Sequence, residues 1–409
     1  MPIPRLTIRV ALLVLLLSAL APSGPSAPMT PLALSGAAGA EGTEGAEGTE
    51  GAEPAATVPT HPTATERTTP VSSTDSRQLA GRRVIYSYPG PTPPPELLDT
   101  VRAGRAAGVI FFKENAPTVA QLRSAVDQLN RAAAEAPTGA PLLLMTDQEG
   151  GKVRRLPGAP ELSAKQTGLA ADPAGAVAEA GAGAARTLSD AGLNLNLAPV
   201  LDVFDTPDNF IDHFERSYSG RPEVVAELGS AFLVAQQKLG VAATAKHFPG
   251  LGSAAREANT DASAVVLPVP LDELRARGEE PYRAAIAAGV RLVMASWAVY
   301  PALDAYRPAG LSRAVVQGEL RDRLGFRGVT VTDALEAGAL ADFGDAGDRA
   351  VAAAEAGMDL VLCSGRDVAQ GDAAVEALAT ALDSGRLDTA GFTEAVHRVD
   401  ALRTSPTTP

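Results

Sequence analysis

The feature that most constrains the fold is an alternation, from Gln78 onward, of short apolar runs with alanine-rich stretches of helical character. Most of the apolar runs are continuous, as expected for strands of a parallel sheet that are buried on both faces. Eight β-then-α units predict an α/β fold of the (β/α)8 TIM-barrel type, in a single domain over residues 78–404. The candidate strands are Val84–Tyr88, Val109–Phe112, Leu142–Thr146, Leu193–Pro199, Ala242–Lys246, Leu292–Ser296, Val329–Thr332 and Leu360–Cys363.

Helical stretches separate most of these strands. They are Val119–Glu135, Ala174–Ala191, Pro222–Lys238, Glu279–Ala288 and Ala346–Ala356, with Thr389–Arg403 as a closing helix. A doubly wound open sheet is the alternative arrangement. It is disfavoured because no phosphate-loop or dinucleotide-binding glycine fingerprint opens a helix in this chain.

The amino terminus has the pattern of an export signal. Arg5 and Arg9 precede an apolar run at Val10–Leu20, which is too short to span a bilayer, and small residues follow it. Residues 1–27 are therefore interpreted as a signal peptide, with an uncleaved membrane anchor as the alternative. We expect a secreted, extracellular or cell-envelope protein that has no stable membrane span after cleavage.

The next segment, residues 28–77, has the composition of a linker. It repeats Glu-Gly-Thr/Ala and is then dominated by Thr and Pro, so it contains too little apolar surface to offset the entropy of ordering. We predict that it is disordered, and that residues 405–409 form a short tail.

The charge and the rare residues exclude several classes of function. A formal net charge of −13 disfavours binding to nucleic acid, which requires a basic face. One Cys, at position 363, excludes a disulfide framework, and only 4 His in the chain leave little room for a multi-histidine metal site. No metal and no cofactor are expected, and the oligomeric state cannot be derived from the sequence.

Charged residues directly follow four of the apolar runs, at Asp147, Asp202, Lys246-His247 and Asp333. In a barrel these positions converge at the carboxyl ends of the strands, where active sites are found. Buried charges are costly unless they are paired or used, so their convergence predicts a functional site. For Asp202 a structural role is the alternative, in which it pairs with Arg216 or caps a loop.

Six motifs, in order over residues 78–365, make the chain resemble glycoside hydrolase family 3, and specifically its single-domain β-N-acetylhexosaminidase branch. The motifs are GVIFF at 108–112, TDQEGG at 146–151, LNLAPVLDV at 195–203, ERSY at 215–218, KHFPG at 246–250 and GFRGVTVTD at 325–333. The resemblance implies a retaining glycosidase that acts on a carbohydrate substrate with a terminal β-linked N-acetylhexosamine. Peptidoglycan fragments and chito-oligosaccharides are the expected sources of that sugar.

The resemblance also implies individual roles. Asp333 would be the nucleophile that forms a covalent glycosyl-enzyme intermediate. The sugar would be bound by Asp147, Lys246 and His247, and Arg155 and Arg216 would line the pocket.

The loop after KHFPG departs from the family pattern. Leu251 replaces a His, Asp261 aligns with the Asp of the acid/base pair, and Ser263 stands where the catalytic His is expected. A second departure places Trp297 where the family has a His, which could supply a stacking face for a sugar ring.

Three interpretations of the missing His remain open. Asp261 or Glu257 could supply the proton, since a carboxyl group is the ordinary acid in glycosidases. The enzyme could instead be slow, or the pocket could bind a sugar or muropeptide without hydrolysing it. β-Glucosidase specificity is a further alternative within the family.

Overall fold

The computed structural model describes residues 73–405. The predicted signal peptide, most of the predicted linker and the last four residues lie outside this range. Within it the chain forms a closed barrel of eight parallel strands, which confirms the predicted (β/α)8 architecture and excludes the open sheet.

All eight predicted strands are present, although their ends differ by a few residues. In chain order the strands are β1 (Val84–Tyr86), β2 (Gly108–Ile110), β3 (Leu143–Thr146), β4 (Gln148–Gly150), β5 (Val153–Arg154), β6 (Leu195–Asn196), β7 (Ala242–Phe248), β8 (Leu292–Ala295), β9 (Val329–Ala334) and β10 (Leu360–Leu362). Around the barrel the order is β1-β10-β9-β8-β7-β6-β3-β2. Strands β4 and β5 form a separate antiparallel hairpin beyond β3, which the sequence did not predict.

The described helices follow the predicted alternation. They are α1 (Ser73–Gly81), α2 (Pro95–Arg102), α3 (Val119–Ala134), α4 (Ala164–Gly168), α5 (Pro173–Asp190), α6 (Phe210–His213), α7 (Pro222–Gln237), α8 (Leu271–Glu273), α9 (Glu280–Ala287), α10 (Ala346–Ala356), α11 (Val368–Asp383) and α12 (Thr389–Thr404). Short 3₁₀ turns occur at Lys113–Asn115, Ala309–Leu311 and Gly338–Leu340, and π-helical turns at Leu274–Gly278 and Ala314–Arg323. Side-chain caps begin several helices; Thr118, for example, accepts a hydrogen bond from the amide of Gln121 at the start of α3.

Helix α1 corrects the predicted boundary between linker and domain, because it begins at Ser73 inside the segment interpreted as linker. Its contacts explain why it belongs to the folded domain. Ser76 Oγ donates a hydrogen bond to Asp383, and Arg77 Nε donates one to Glu376 at 3.0 Å, so the helix is held against α11.

Apolar side chains fill the barrel and the layer outside it. Ile85, Met145, Leu197, Met294 and Val331 belong to the cluster inside the barrel. Two larger clusters pack the helices against the outer face of the strands. The interior of the barrel is therefore packed with apolar side chains, which leaves the two ends of the barrel for clusters of charged side chains. None of the helices between residues 73 and 405 has both the length and the apolar character needed to cross a bilayer.

Candidate active site

A cavity of about 400 Å³ opens at the carboxyl ends of the barrel strands. Most of the site residues predicted from the sequence lie on its wall: Asp147, Arg155, Arg216, Lys246, His247, Asp261 and Asp333. The fold brings them together because Asp147 follows β3, Lys246 and His247 lie in β7, and Asp333 lies in β9. Glu257 and Trp297 are not on the wall.

One side of the cavity is a network of buried charges. Lys246, 2% exposed, places Nζ 2.7 Å from both Asp147 Oδ1 and Glu149 Oε1. Arg216 donates two parallel hydrogen bonds to Glu149, at 2.9 and 2.8 Å. Arg155 approaches the second oxygen of Asp147 at 3.8 Å. Such a network holds Asp147 and Lys246 in fixed positions, as is required of groups that bind sugar hydroxyls.

The electrostatics of this network keep Glu149 and Lys246 ionised. Burial alone would raise the pKa of Glu149, but the charges of Arg216 and Lys246 hold that pKa well below its usual range. Burial would likewise lower the pKa of Lys246, yet Asp147 and Glu149 raise it above its usual value. Glu149 and Lys246 therefore stay charged throughout the neutral range.

His247 is held by a buried partner beneath the pocket. Its Nδ1 lies 2.7 Å from Asp202 Oδ2, while Asp202 Oδ1 accepts hydrogen bonds from the amides of His247 and Leu251 at 3.2 and 2.7 Å. Asp202 is completely buried, and it does not form the pair with Arg216 that the sequence allowed. It orients the ring of His247, whose Nε2 lies 3.5 Å from Arg216 Nη2 at the pocket.

Asp333 lies at the end of β9 and lines the cavity. Its Oδ1 accepts a hydrogen bond from the amide of Ala334 at 2.7 Å. Within residues 73–405 no group donates to its Oδ2, so one carboxylate oxygen is fixed and the other is available to a ligand.

The loop that departs from the family pattern carries Asp261 to the same cavity. Two backbone hydrogen bonds fasten this loop to the turn after β9: the amide of Gly338 donates to Asp261 O at 2.9 Å, and that of Ala339 donates to Thr260 O at 3.0 Å. A Cβ at Gly338 would lie 2.3 Å from Ala262 O, so only glycine permits this close approach. The loop and the strand that carries Asp333 are thus joined directly.

Asp261 has the electrostatic character of a group that can hold a proton. Although part of the residue is exposed, withdrawal of its carboxyl group from solvent raises its pKa, and the neighbouring charge of Asp333 raises it further. Glu257 and Ser263 are exposed and do not line the cavity, so the structure brings only Asp261 of the two candidate acids to the site.

Trp297 does not offer the stacking face that the sequence suggested. The side chain is fully buried, packs against Gly310 and donates a hydrogen bond from Nε1 to Ala334 O at 2.8 Å. The substitution of Trp for the family's His therefore fills the protein interior behind Asp333, where the indole supports the end of β9. The assignment of Trp297 to substrate binding is accordingly corrected.

Sequence reasoning gave no role to three residues of the site. Glu149 belongs to the TDQEGG motif and lies two residues after Asp147. In an extended segment, residues i and i+2 lie on the same face, and this spacing was the available signal that both carboxylates lie on one side of the segment. Glu336, which accepts hydrogen bonds from Ser364, lines the pocket, as does Arg366, whose guanidinium lies 4.3 Å from the ring centroid of Phe112. No local pattern could reveal Arg366, because its partners are distant in sequence.

Between residues 73 and 405 no group of three or more His, Cys, Asp or Glu side chains is arranged to hold a metal ion.

Comparison with known proteins identifies the family. The model of the glycosyl hydrolase family 3 N-terminal domain matches residues 88–402. A protein from Arthroderma benhamiae, named an uncharacterized secreted glycosyl hydrolase, is 47% identical over 82% of this chain and 95% of its own length. A β-hexosaminidase from Stenotrophomonas maltophilia is 36% identical over 64% of this chain and 78% of its own.

Solved structures show the same relationship. A family 3 β-N-acetylglucosaminidase from Paenibacillus sp. FPU-7 superposes with a TM-score of 0.75 at 36% identity, over 80% of this chain and 62% of that one. A β-N-acetylhexosaminidase from Beutenbergia cavernae superposes with a TM-score of 0.73 at 33% identity, over 80% of this chain and 98% of that one. The chain therefore belongs to glycosyl hydrolase family 3, and it is a glycoside hydrolase.

Proposed function

We propose that this protein is a secreted, retaining β-N-acetylhexosaminidase with a carboxyl group as its acid/base. The observation that carries the proposal is the meeting of Asp333 and Asp261 in one cavity, opposite the buried network of Lys246, Asp147, Glu149 and Arg216. The names of the hexosaminidase and acetylglucosaminidase relatives support the choice of sugar. Peptidoglycan fragments and chito-oligosaccharides are the proposed substrates.

In the first step Asp333 attacks the anomeric carbon, and the bond to the leaving-group oxygen breaks. Asp261, whose raised pKa favours its protonated form, gives its proton to that oxygen. The product of this step is a glycosyl ester on Asp333 and a free alcohol.

In the second step Asp261, now ionised, removes a proton from water. The resulting hydroxide attacks the anomeric carbon, the ester bond to Asp333 breaks, and the sugar leaves with its original configuration. Asp147 and Lys246 would bind hydroxyls of the same sugar and hold its anomeric carbon against Asp333.

Asp261 is preferred to Glu257 because it lines the cavity and is fastened to the turn that follows Asp333. Raising the pKa of a carboxyl by burial and by a neighbouring carboxylate is an ordinary way to prepare an acid for work near neutral pH. His is therefore not required for proton transfer in this site.

Secretion is proposed from the export-signal pattern in residues 1–27, which lie outside the described residues. The name of the Arthroderma relative, a secreted glycosyl hydrolase, supports it.

The test is hydrolysis of a matched panel of aryl β-N-acetylglucosaminide, β-N-acetylgalactosaminide and β-glucoside by the full chain and by Asp333→Ala. We expect turnover of the N-acetylated substrates and a loss of at least about 10³-fold in Asp333→Ala, since covalent catalysis is removed. Binding of N-acetylglucosamine without turnover of any member would overturn the proposal in favour of a sugar-binding protein. Preference for the glucoside would replace it with β-glucosidase specificity.

A further inference from the structure

A second and larger cavity lies at the opposite end of the barrel from the active site. Its volume is about 810 Å³, and its wall includes Gly357 and Met358, which precede β10, and residues at the start of α12. Six arginines line it, in a chain whose net charge is −13: Arg83, Arg313, Arg321, Arg327, Arg386 and Arg398. Such a concentration of positive charge in an acidic protein is not required by the barrel fold.

The acidic groups around this cavity do not neutralise the arginines. Three acidic residues line it, namely Glu355, Asp388 and Glu394, and the buried Asp359 lies behind it. One of these carboxylates, Asp388, is used as the amino-terminal cap of α12. The six guanidinium groups therefore outnumber the four carboxylates.

The buried arginines show where the excess charge lies. Arg321 and Arg398 share Asp359, with contacts of 2.6 and 2.9 Å. Arg83, which is 2% exposed, instead donates to the backbone carbonyls of Met358 and Asp359 and stacks on Phe392, and no carboxylate of the described residues contacts it. Burial lowers the pKa of Arg83 to about 10; the nearby charge of Asp359 offsets part of this lowering, and the charge of Arg398 adds to it. Asp359, the one buried carboxylate near Arg83 among the described residues, is thus shared among three arginines, and burying an incompletely balanced charge is costly, so an anion here would reduce that cost.

Several hydrogen-bond donors of the residues that line the cavity have no partner among the described residues. Arg321, 5% exposed, has a buried Nε for which the described residues offer no acceptor. At the rim, Arg313 and Arg327 are exposed, and neither makes a hydrogen bond or ion pair within residues 73–405. Planar guanidinium forks of this kind match the oxygens of phosphate, with which they form bidentate charge-assisted hydrogen bonds.

We propose that this arginine cavity is a binding site for a phosphate-type oxyanion, distinct from the active site. Its ligand is either free inorganic phosphate or the phosphodiester of an anionic polymer. The volume of about 810 Å³ exceeds what one phosphate needs and favours a polymer segment. A polymer bound at this end would leave the active site at the other end of the barrel open to substrate.

The test is calorimetric titration of the full chain, at matched ionic strength, with inorganic phosphate and separately with a poly(glycerol phosphate) oligomer. The variant is Arg313→Ala/Arg327→Ala, which removes two exposed charges without disturbing the buried arginines. The matched control is Arg131→Ala/Arg307→Ala, which removes the same charge from two exposed arginines whose side chains make no hydrogen bond or ion pair among the described residues.

We expect saturable binding that the cavity variant weakens at least about tenfold and the control changes less than about twofold, because only the cavity variant removes charge-assisted hydrogen bonds to the anion. If inorganic phosphate and the oligomer compete, they bind at one site. If the oligomer binds more tightly than inorganic phosphate at the same total phosphate concentration, the ligand is the phosphodiester of a polymer. Absence of saturable binding by both probes, or equal weakening in the two double variants, would overturn the proposal. Glycosidase activity should be unchanged in the cavity variant and serves as the check on folding.

Discussion

Two sides of the active site are built in opposite ways. The side to which we assign sugar binding is a buried network in which Lys246 and Arg216 both contact Glu149, at 2.7–2.9 Å. The side to which we assign proton donation is a partly exposed loop that two backbone hydrogen bonds join to the turn after β9. A rigid network tolerates little change, whereas a loop can exchange one acid for another and still deliver a proton. Under the proposed mechanism, this difference is the reason that the expected acid/base His can be absent while the opposite side keeps the family pattern.

The largest expected effect is on the rigid side. Glu149→Gln would leave Lys246 and Arg216 buried without their shared carboxylate. We expect a loss of about 3–5 kcal/mol in the free energy of unfolding, because a buried ion pair has been broken. Urea unfolding of the full chain measures it, with Glu96→Gln as the exposed control.

The pH dependence gives this prediction a second readout. The pKa of Glu149 is lower in the folded state than in the unfolded chain. The ionised carboxylate therefore contributes its full stabilisation of the folded protein above the unfolded-state pKa, and this contribution is lost as the pH falls toward the folded-state pKa. The gap in stability between wild type and Glu149→Gln should therefore narrow below about pH 4. A gap of less than about 1 kcal/mol at pH 7 would contradict the view that this side is a tightly coupled network.

A smaller effect is expected where the two sides meet. Gly338→Ala places a Cβ 2.3 Å from Ala262 O, so the loop that carries Asp261 must move away from Asp333. A displacement of about 1 Å can cost up to about 10²-fold in rate, and we expect kcat to fall roughly 10- to 100-fold with KM little changed. Steady-state kinetics with a poor leaving group measures this.

The control for Gly338→Ala is Gly318→Ala, where an added Cβ meets nothing within 4 Å. Because a displaced acid matters most for a poor leaving group, the loss in Gly338→Ala should shrink with a nitrophenyl leaving group. Equal losses with both leaving groups would instead indicate a general structural defect.

The parts of this account that the sequence could predict are those that depend on local pattern. Continuous apolar runs located all eight barrel strands, and the charges after them located Asp147, Lys246 and Asp333. Long-range packing could not be predicted in the same way. The burial of Trp297 depends on the space left by Gly310, and the partner of His247 is Asp202, which lies 45 residues earlier. The arginine cavity depends on contacts between segments as distant as Arg83 and Arg398, which no local pattern shows.

The central claim is that Asp261 is the acid/base. The most direct measurement is the pH profile of kcat/KM for an aryl β-N-acetylglucosaminide with a poor leaving group, in wild type, Asp261→Asn and the matched control Glu257→Gln. Since an acid must be protonated to act, the account predicts that Asp261→Asn loses the alkaline limb and about 10²- to 10⁴-fold in rate, whereas Glu257→Gln keeps the wild-type profile. Retention of the alkaline limb in Asp261→Asn, or its loss in Glu257→Gln, would contradict the account.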